Sequence, residues 1–271
     1  MSPDAPPACP AAPLRAAGPG IWAPVCGVLT DIDDTLTRGG RIEPAARAAL
    51  QALADAGVPV IAVTGRPAGW SEPFARSWPV RGIVAENGAV ALFMDGGALR
   101  VEYAQDAATR AANAGRLRRV ADEILAAVPG AALARDSAGR ITDIAVDHAE
   151  FARLDAAGIA HVLALMRAAG MRASVSSIHV NGWFGDHDKL SGARWAVRRL
   201  LGRDLDAERG RWVYVGDSTN DQAMFGAFPL SVGVRNLLDF ADRLKVWPAY
   251  LTEGERGAGF AEVATALLAT R

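Results

Sequence analysis

Several short apolar runs in this chain show no polar alternation, and each stops abruptly at residues with chemistry to offer. Val25–Thr30 ends in Asp31-Ile32-Asp33-Asp34, Val58–Val63 in Thr64-Gly65-Arg66, Gly82–Ala85 in Glu86-Asn87-Gly88, and Trp212–Val215 in Gly216-Asp217. A strand that is apolar at every position is buried on both faces, as in a parallel sheet covered by helices on each side. The intervening segments agree. Glu43–Ala56 reads as a helix with Pro44 in its first turn and Gly57 just past its end. Late in the chain, a helix over Lys189–Leu201, a short one from Asn220, strands at Leu230–Val234 and Trp247–Leu251, and a final helix over Phe260–Leu268 repeat the grammar. Strand-helix-strand units pair in parallel through right-handed crossovers, so the expected fold class is α/β, a parallel sheet with helices on both faces.

The stretch from 90 to 183 reads differently. Ile141–Asp147 and Val175–Asn181 alternate, and amphipathic helices are expected near Ala108–Ala127 and Asp155–Ala169. Alternation marks an antiparallel sheet with one face packed on helices. We therefore expect an inserted α+β domain at 90–183, interrupting a core made of 25–89 and 184–271. Residues 1–24 are rich in Pro and Ala, and their prolines interrupt any signal-peptide core, so they read as a flexible tail. No run of ~18 apolar residues occurs, so no membrane span and a cytoplasmic location are expected.

The balance of 29 basic and 30 acidic residues offers no field for nucleic acid or an anionic membrane. Cys9 and Cys26 can build neither a disulfide framework nor a metal cluster, and the histidines, His161 and His187 among them, have no zinc spacing. No P-loop is present, and Gly18-Pro-Gly20 precedes the first strand, so it is no dinucleotide fingerprint. Nothing sets an oligomeric state.

In an open parallel sheet, ligands bind beyond the carboxyl ends of the strands. Asp31, Thr64 and Asp217 each stand at such an end, so all three face one crevice. Asp31, Asp33, Asp34, Asp217 and Asp221 bring many negative charges toward it. Carboxylates crowd only at a cost unless a cation is present, and hard oxygen ligands with open positions suit Mg²⁺. Taken singly, each piece has a plainer reading. Asp-x-Asp-Asp is often a turn, and Gly216-Asp217 can be a helix cap. A calcium loop fails because Leu36 and Ile42 stand where its glycine and closing glutamate belong.

Together these residues resemble the haloacid dehalogenase superfamily. Asp31-Ile32-Asp33-Asp34-Thr35 matches its Asp-x-Asp-x-Thr/Val signature, with Asp34 in place of a frequent glycine. Thr64 matches the second motif, Lys189 the third, although Leu190 follows it rather than Gly. Gly216-Asp217-Ser218-Thr219-Asn220-Asp221 matches the fourth. The resemblance runs from Val25 to the end of the chain. Asp31 and Thr64 leave room for one crossover only, so the insertion lies between the second and third motifs. This is similar to subclass IIB, the Cof-like group with the sucrose-phosphate, trehalose-phosphate and mannosyl-phosphoglycerate phosphatases.

The resemblance implies a Rossmann-like core with a cap domain. It further implies phosphomonoester hydrolysis through an aspartyl-phosphate on Asp31, with Asp33 as acid and base and neighbouring acids or burial assisting it. Thr64 and Lys189 would hold the phosphoryl group. Mg²⁺ would be held by Asp31, the carbonyl of Asp33 and Asp217, supported by Asp221, with Asn220 bracing the loop. Gly65, Arg66, Asn87, His179 and Asn181 join the phosphate- and substrate-binding set, and His148 and Trp183 are further cap candidates. The implied partner is a small phosphorylated metabolite, most simply a sugar phosphate. A phosphomutase of the phosphomannomutase type is the alternative, and a phospho-acceptor signalling domain a distant one.

Overall fold

In the computed structural model, which describes residues 9–271, the chain begins with β1 (Ala12–Pro13), α1 (Pro19–Trp22) and β2 (Gly27–Thr30). A small hairpin of β3 (Thr37–Arg38) and β4 (Arg41–Ile42) follows. Next come α2 (Pro44–Asp55), β5 (Val60–Val63), α3 (Ala68–Ser77), β6 (Gly82–Ala85), β7 (Val90–Asp95) and β8 (Ala98–Tyr103). The insertion holds α4 (Ala107–Ala127), β9 (Ala132–Leu133), β10 (Asp143–Asp147), α5 (Ala156–Ala168), β11 (Arg172–Val175) and β12 (His179–Trp183). The chain closes with α6 (Lys189–Leu201), β13 (Trp212–Gly216), α7 (Gln222–Ala227), β14 (Leu230–Gly233), β15 (Tyr250–Leu251) and α8 (Arg256–Leu268).

The core is a nine-stranded sheet in the order β1-β15-β14-β13-β2-β5-β6-β7-β8, parallel except for β7 and β8. Successive residues of each central strand feed opposite layers, which is why those runs are apolar throughout. Val28, Val60, Ala62, Val213 and Val215 pack with Leu50 of α2 and Phe260 of α8. Leu29, Ile61, Val63 and Tyr214 pack with Val197 of α6 and Phe225 of α7. The α/β class expected from the apolar runs is the one observed.

The strand order reverses at β2, which has β5 on one side and β13 on the other. Parallel register sets Thr30 beside Ala62 and Val215, so the residues just after these strands emerge together.

Four differences from the sequence reading have physical causes. Val90–Asp95 and Ala98–Tyr103 were expected in the insertion, but they extend the core sheet as an antiparallel hairpin turned by Gly96 and Gly97, both at positive φ. Of the expected flexible tail 1–24, residues 1–8 lie outside the described residues. In the rest, β1 pairs with β15, and Leu14 and Trp22 are buried in the core. Val175–Asn181, expected as one strand, is a hairpin whose turn is held by the Ser176 hydroxyl, which accepts from the backbone N–H groups of Ile178 and His179. Helix α3 was not expected. Its Pro73 obscures the helical signal, yet at this sixth position of the helix the ring is accommodated while Ala68 and Ala75 are buried.

The insertion forms a four-stranded antiparallel sheet, β11-β12-β10-β9, backed by α4 and α5 through Leu117, Ile124, Val162 and Met166. Among the described residues no helix is long and apolar enough to cross a membrane. Cys9 is exposed and Cys26 half-buried, and both thiols are free.

Candidate active site

Asp31 follows β2 directly, and its backbone N–H donates to the carbonyl of Val215 on β13 at 2.9 Å. Lys189, the first residue of α6, places Nζ 2.6 Å from Asp31 Oδ1 and 2.7 Å from Asp221 Oδ1. Its helix starts in a capping box between Asp188 and Ser191, which fixes where the first turn points. The N–H groups of Asp217 and Ser218 donate to Asp221 Oδ2 at 2.9 and 3.1 Å, and the Tyr214 hydroxyl donates to Oδ1 at 2.5 Å. Asp221 is thus engaged by donors on both oxygens. Asp217 has a single side-chain partner, the Thr35 hydroxyl at 3.3 Å from Oδ1, while its Oδ2 is buried with no hydrogen-bond partner.

Carboxylate oxygens of Asp31, Asp217 and Asp221 lie within 4.8 Å of one another, all buried. Three carboxylates against one ammonium leave uncompensated negative charge in a dry site. Burial, only partly offset by Lys189, pushes the Asp31 carboxyl up to about 7, with Asp221 and Asp33 raising it further. Burial, then Asp31 and Asp221, pushes Asp217 well above the usual carboxylate range. Lys189 moves up from its ordinary value because attraction to Asp221 and Asp31 exceeds the opposing effect of its burial. A divalent cation fits this donor set: hard oxygens, surplus charge and an orphaned buried carboxylate oxygen.

Thr64 ends β5, and its hydroxyl accepts from the backbone N–H of Arg66 at 3.1 Å. Thr64, Gly65, Arg66, His179, Asn181 and Asn220 line one small cavity with Asp31 and Asp33. The cap's Ser176, Ser177 and Ile178, absent from the sequence reading, close it from above. The enclosed space is about 10 Å³, room for a single water. Asn220 accepts from the Ser218 hydroxyl at 2.9 Å.

Asp33 has a cationic partner that the sequence reading did not assign to it. Both its oxygens are taken by the fork of Arg66, at 2.8 and 3.1 Å. The same guanidinium reaches Asp136 at 3.0 Å and Glu150 at 2.7 Å on the cap. His179 Nε2 lies 3.0 Å from Glu150 Oε2. Asn181 donates to Asp143 and to the carbonyl of Gly65, and Asn87 donates to Asp143 from the core side. Asn87 is held at φ 55°, a left-handed conformation that Asn tolerates better than most residues. Two cap candidates lie elsewhere. His148 contacts the carbonyl of Ser176, and Trp183 is buried, donating to the carbonyl of His187 and stacking on its ring.

Sequence reasoning missed Asp136, Arg140, Asp143, Glu150 and Tyr214. Nothing local marks them, because their partners are remote in sequence. Asp147 carries the one usable hint, since an acid before Ala149–Ala152 can collect turn N–H groups, and here it accepts from all four.

Residues 28–112 match the sequence profile of haloacid dehalogenase-like hydrolases. No curated protein matches the chain. Among solved structures, a Thermoplasma acidophilum protein superposes with TM-score 0.70 at 14% identity, covering 90% of this chain and 98% of the other. The sucrose-phosphatase of a Synechocystis species, solved with sucrose and phosphate, gives 0.63 at 15% identity over 89% and 97%. The C-terminal domain of Candida albicans trehalose-6-phosphate phosphatase gives 0.65 at 15% identity over 96% and 99%. At such identities the structures speak for the fold. The profile match likens residues 28–112, under half of the chain, to haloacid dehalogenase-like hydrolases, and the superposed fold agrees with it. The inserted α+β unit lies in the chain between Thr64 and Lys189.

Proposed function

We propose that the protein is a magnesium-dependent phosphomonoester hydrolase acting through an aspartyl-phosphate on Asp31. The observation that carries this reading is the buried cluster of Asp31, Lys189, Asp217 and Asp221 at the topological switch of the sheet. The neighbours named as sucrose-phosphatase and trehalose-6-phosphate phosphatase support a sugar phosphate as substrate.

Asp31, the carbonyl of Asp33 and Asp217 would hold Mg²⁺. When bound, the cation would neutralise the carboxylates and draw charge from the phosphoryl oxygens. A carboxylate oxygen of Asp31 attacks phosphorus as the bond to the leaving oxygen breaks, and Asp33 gives that oxygen a proton. Asp33 then takes a proton from water as the water attacks phosphorus. The bond to Asp31 breaks, freeing inorganic phosphate and restoring the carboxylate. Lys189 and Thr64 hold phosphoryl oxygens, and Asp221 keeps Lys189 and the Gly216–Ser218 backbone in place. Arg66 must release Asp33 for the first proton transfer, which ties chemistry to movement of the cap.

Phosphate release from sugar phosphates and p-nitrophenyl phosphate, with Mg²⁺ or a chelator, tests the reading. Release should require metal and fall by at least about a thousandfold in Asp31→Asn. Metal-independent release would overturn the magnesium dependence, and release persisting in the variant would exclude Asp31 as the nucleophile.

A further inference from the structure

The contacts between cap and core have a charge asymmetry that bears on which leaving groups can enter. Asp33 of the core and Asp136 and Glu150 of the cap surround Arg66 at 2.7 to 3.0 Å. Asp136 and Asp143 hold Arg140, whose guanidinium also donates to the carbonyl of Gly65 at 2.9 Å. Four carboxylates therefore face two guanidiniums, and the shell is not positive whatever the charge on His179. Of the described residues lining the cavity, Arg66 is the one permanent cation. The remaining cap lining beside His179 is neutral, formed by Ser176, Ser177, Ile178 and Asn181.

We propose that this cap selects phosphate esters by the charge of the leaving group, with Glu150 as the specificity-determining residue. Uncharged polyhydroxy groups, or groups carrying an ammonium, are accepted, and groups with a second anion are rejected. The inference rests on the hydrolase reading above and extends it. Glu150 is suited to the role by placement. Its carboxylate is 2.7 Å from Arg66 and 3.0 Å from His179, at the seam that must part to admit a substrate, and burial is incomplete at 19% side-chain exposure. Hydroxyl or ammonium donors entering there replace the donors that Glu150 gives up. An entering anion competes with Asp33, Asp136 and Glu150 for Arg66 and leaves those carboxylates facing one another without a counter-charge, which like-charge juxtaposition penalises. A second phosphate is what a sugar-bisphosphate mutase has to hold, so the same asymmetry weighs against that alternative.

The test compares wild type, Glu150→Gln and the charge-keeping Glu150→Asp on p-nitrophenyl phosphate, glucose 6-phosphate, glucosamine 6-phosphate and glucose 1,6-bisphosphate, with Mg²⁺. If only the aryl ester turns over, the sugar phosphates are compared as competitive inhibitors. Wild type should favour the two monophosphates over the bisphosphate by at least about tenfold in kcat/KM or in inhibition constant. Glu150→Gln should narrow that gap, and Glu150→Asp should largely keep it. Equal use of bisphosphate and monophosphate by wild type overturns the inference while leaving the hydrolase reading intact. A gap unchanged in Glu150→Gln takes the role away from Glu150. No phosphate release from any compound would bring down both readings together.

Discussion

Burial raises the carboxyl pKa of both Asp31 and Asp217, with Asp221 and Asp33 adding to the effect at Asp31, and Asp31 and Asp221 at Asp217. A group whose folded pKa lies above its unfolded value favours folding below that unfolded value, and the benefit is lost as pH rises through the folded one. For Asp31 the window runs from 3.8 to about 7. Metal-free protein should therefore lose stability across this range, and Mg²⁺, which favours the ionised forms, should stabilise more at its upper end. Thermal melts at several pH values with and without Mg²⁺ would show it, and a pH-independent metal effect would contradict it. Among the described residues, Lys189 is the one cation paired with Asp31 and Asp221. Lys189→Met leaves Asp31 and Asp221 facing each other and should cost about 3–5 kcal/mol in metal-free protein, read by denaturant unfolding. A variant as stable as wild type would mean that this ammonium does not hold the cluster together.

At the level of elements, the placement of Lys189 depends on two glycines. A Cβ on Gly192 of α6 would come within 2.5 Å of the Gly88 Cα, and one on Gly88, at φ 108°, within 2.1 Å of the Asp188 carbonyl oxygen. Helix α6 thus rests directly on the turn after β6. Gly192→Ala should push the helix outward and lower kcat by at least about tenfold, since small misplacements of reacting groups are costly. A protein that folds with unaltered kcat would show that α6 can shift without moving its ammonium. The same turn anchors the cap. Glu86 is fully buried and accepts from the N–H groups of Ala68, Ile141 and Thr142 and from the Thr142 hydroxyl. Burial first, then Asp143, raises its pKa. Glu86→Ala strands those donors at about 1–3 kcal/mol each and should speed hydrogen exchange at residues 141–142 ahead of the rest of the cap. Uniform protection across the cap would argue against Glu86 as a local anchor.

For the whole molecule, the segment from β1 to α1 is tied to the core through Leu14 and Trp22. β1 closes one edge of the sheet, and Trp22 is 1% exposed among core residues. Trp22→Ala should cost about 3–5 kcal/mol, measured by chemical denaturation, through the cavity it leaves. A loss under 1 kcal/mol would mean that the segment is only loosely attached. The cap closes over a space of about 10 Å³, so under the proposed function a sugar phosphate enters only when the cap and the Arg66 contacts part.

Much of this was legible in the chain itself. Apolar runs ending at Asp31, Thr64 and Asp217 dictate a parallel sheet with those residues at one rim, because strands buried on both faces advertise themselves and parallel strands share an end. The alternating stretches likewise announce an antiparallel insertion. Edges and partners were beyond local reading. Whether Val90–Tyr103 joins the core or the cap depends on which sheet edge is free, and a two-residue strand such as Ala12–Pro13 has no periodicity to detect. The ion pairs around Arg66 join residues as far as 84 positions apart. Their charges look like ordinary surface residues until the cap folds down and removes the water between them, and that step belongs to tertiary structure alone.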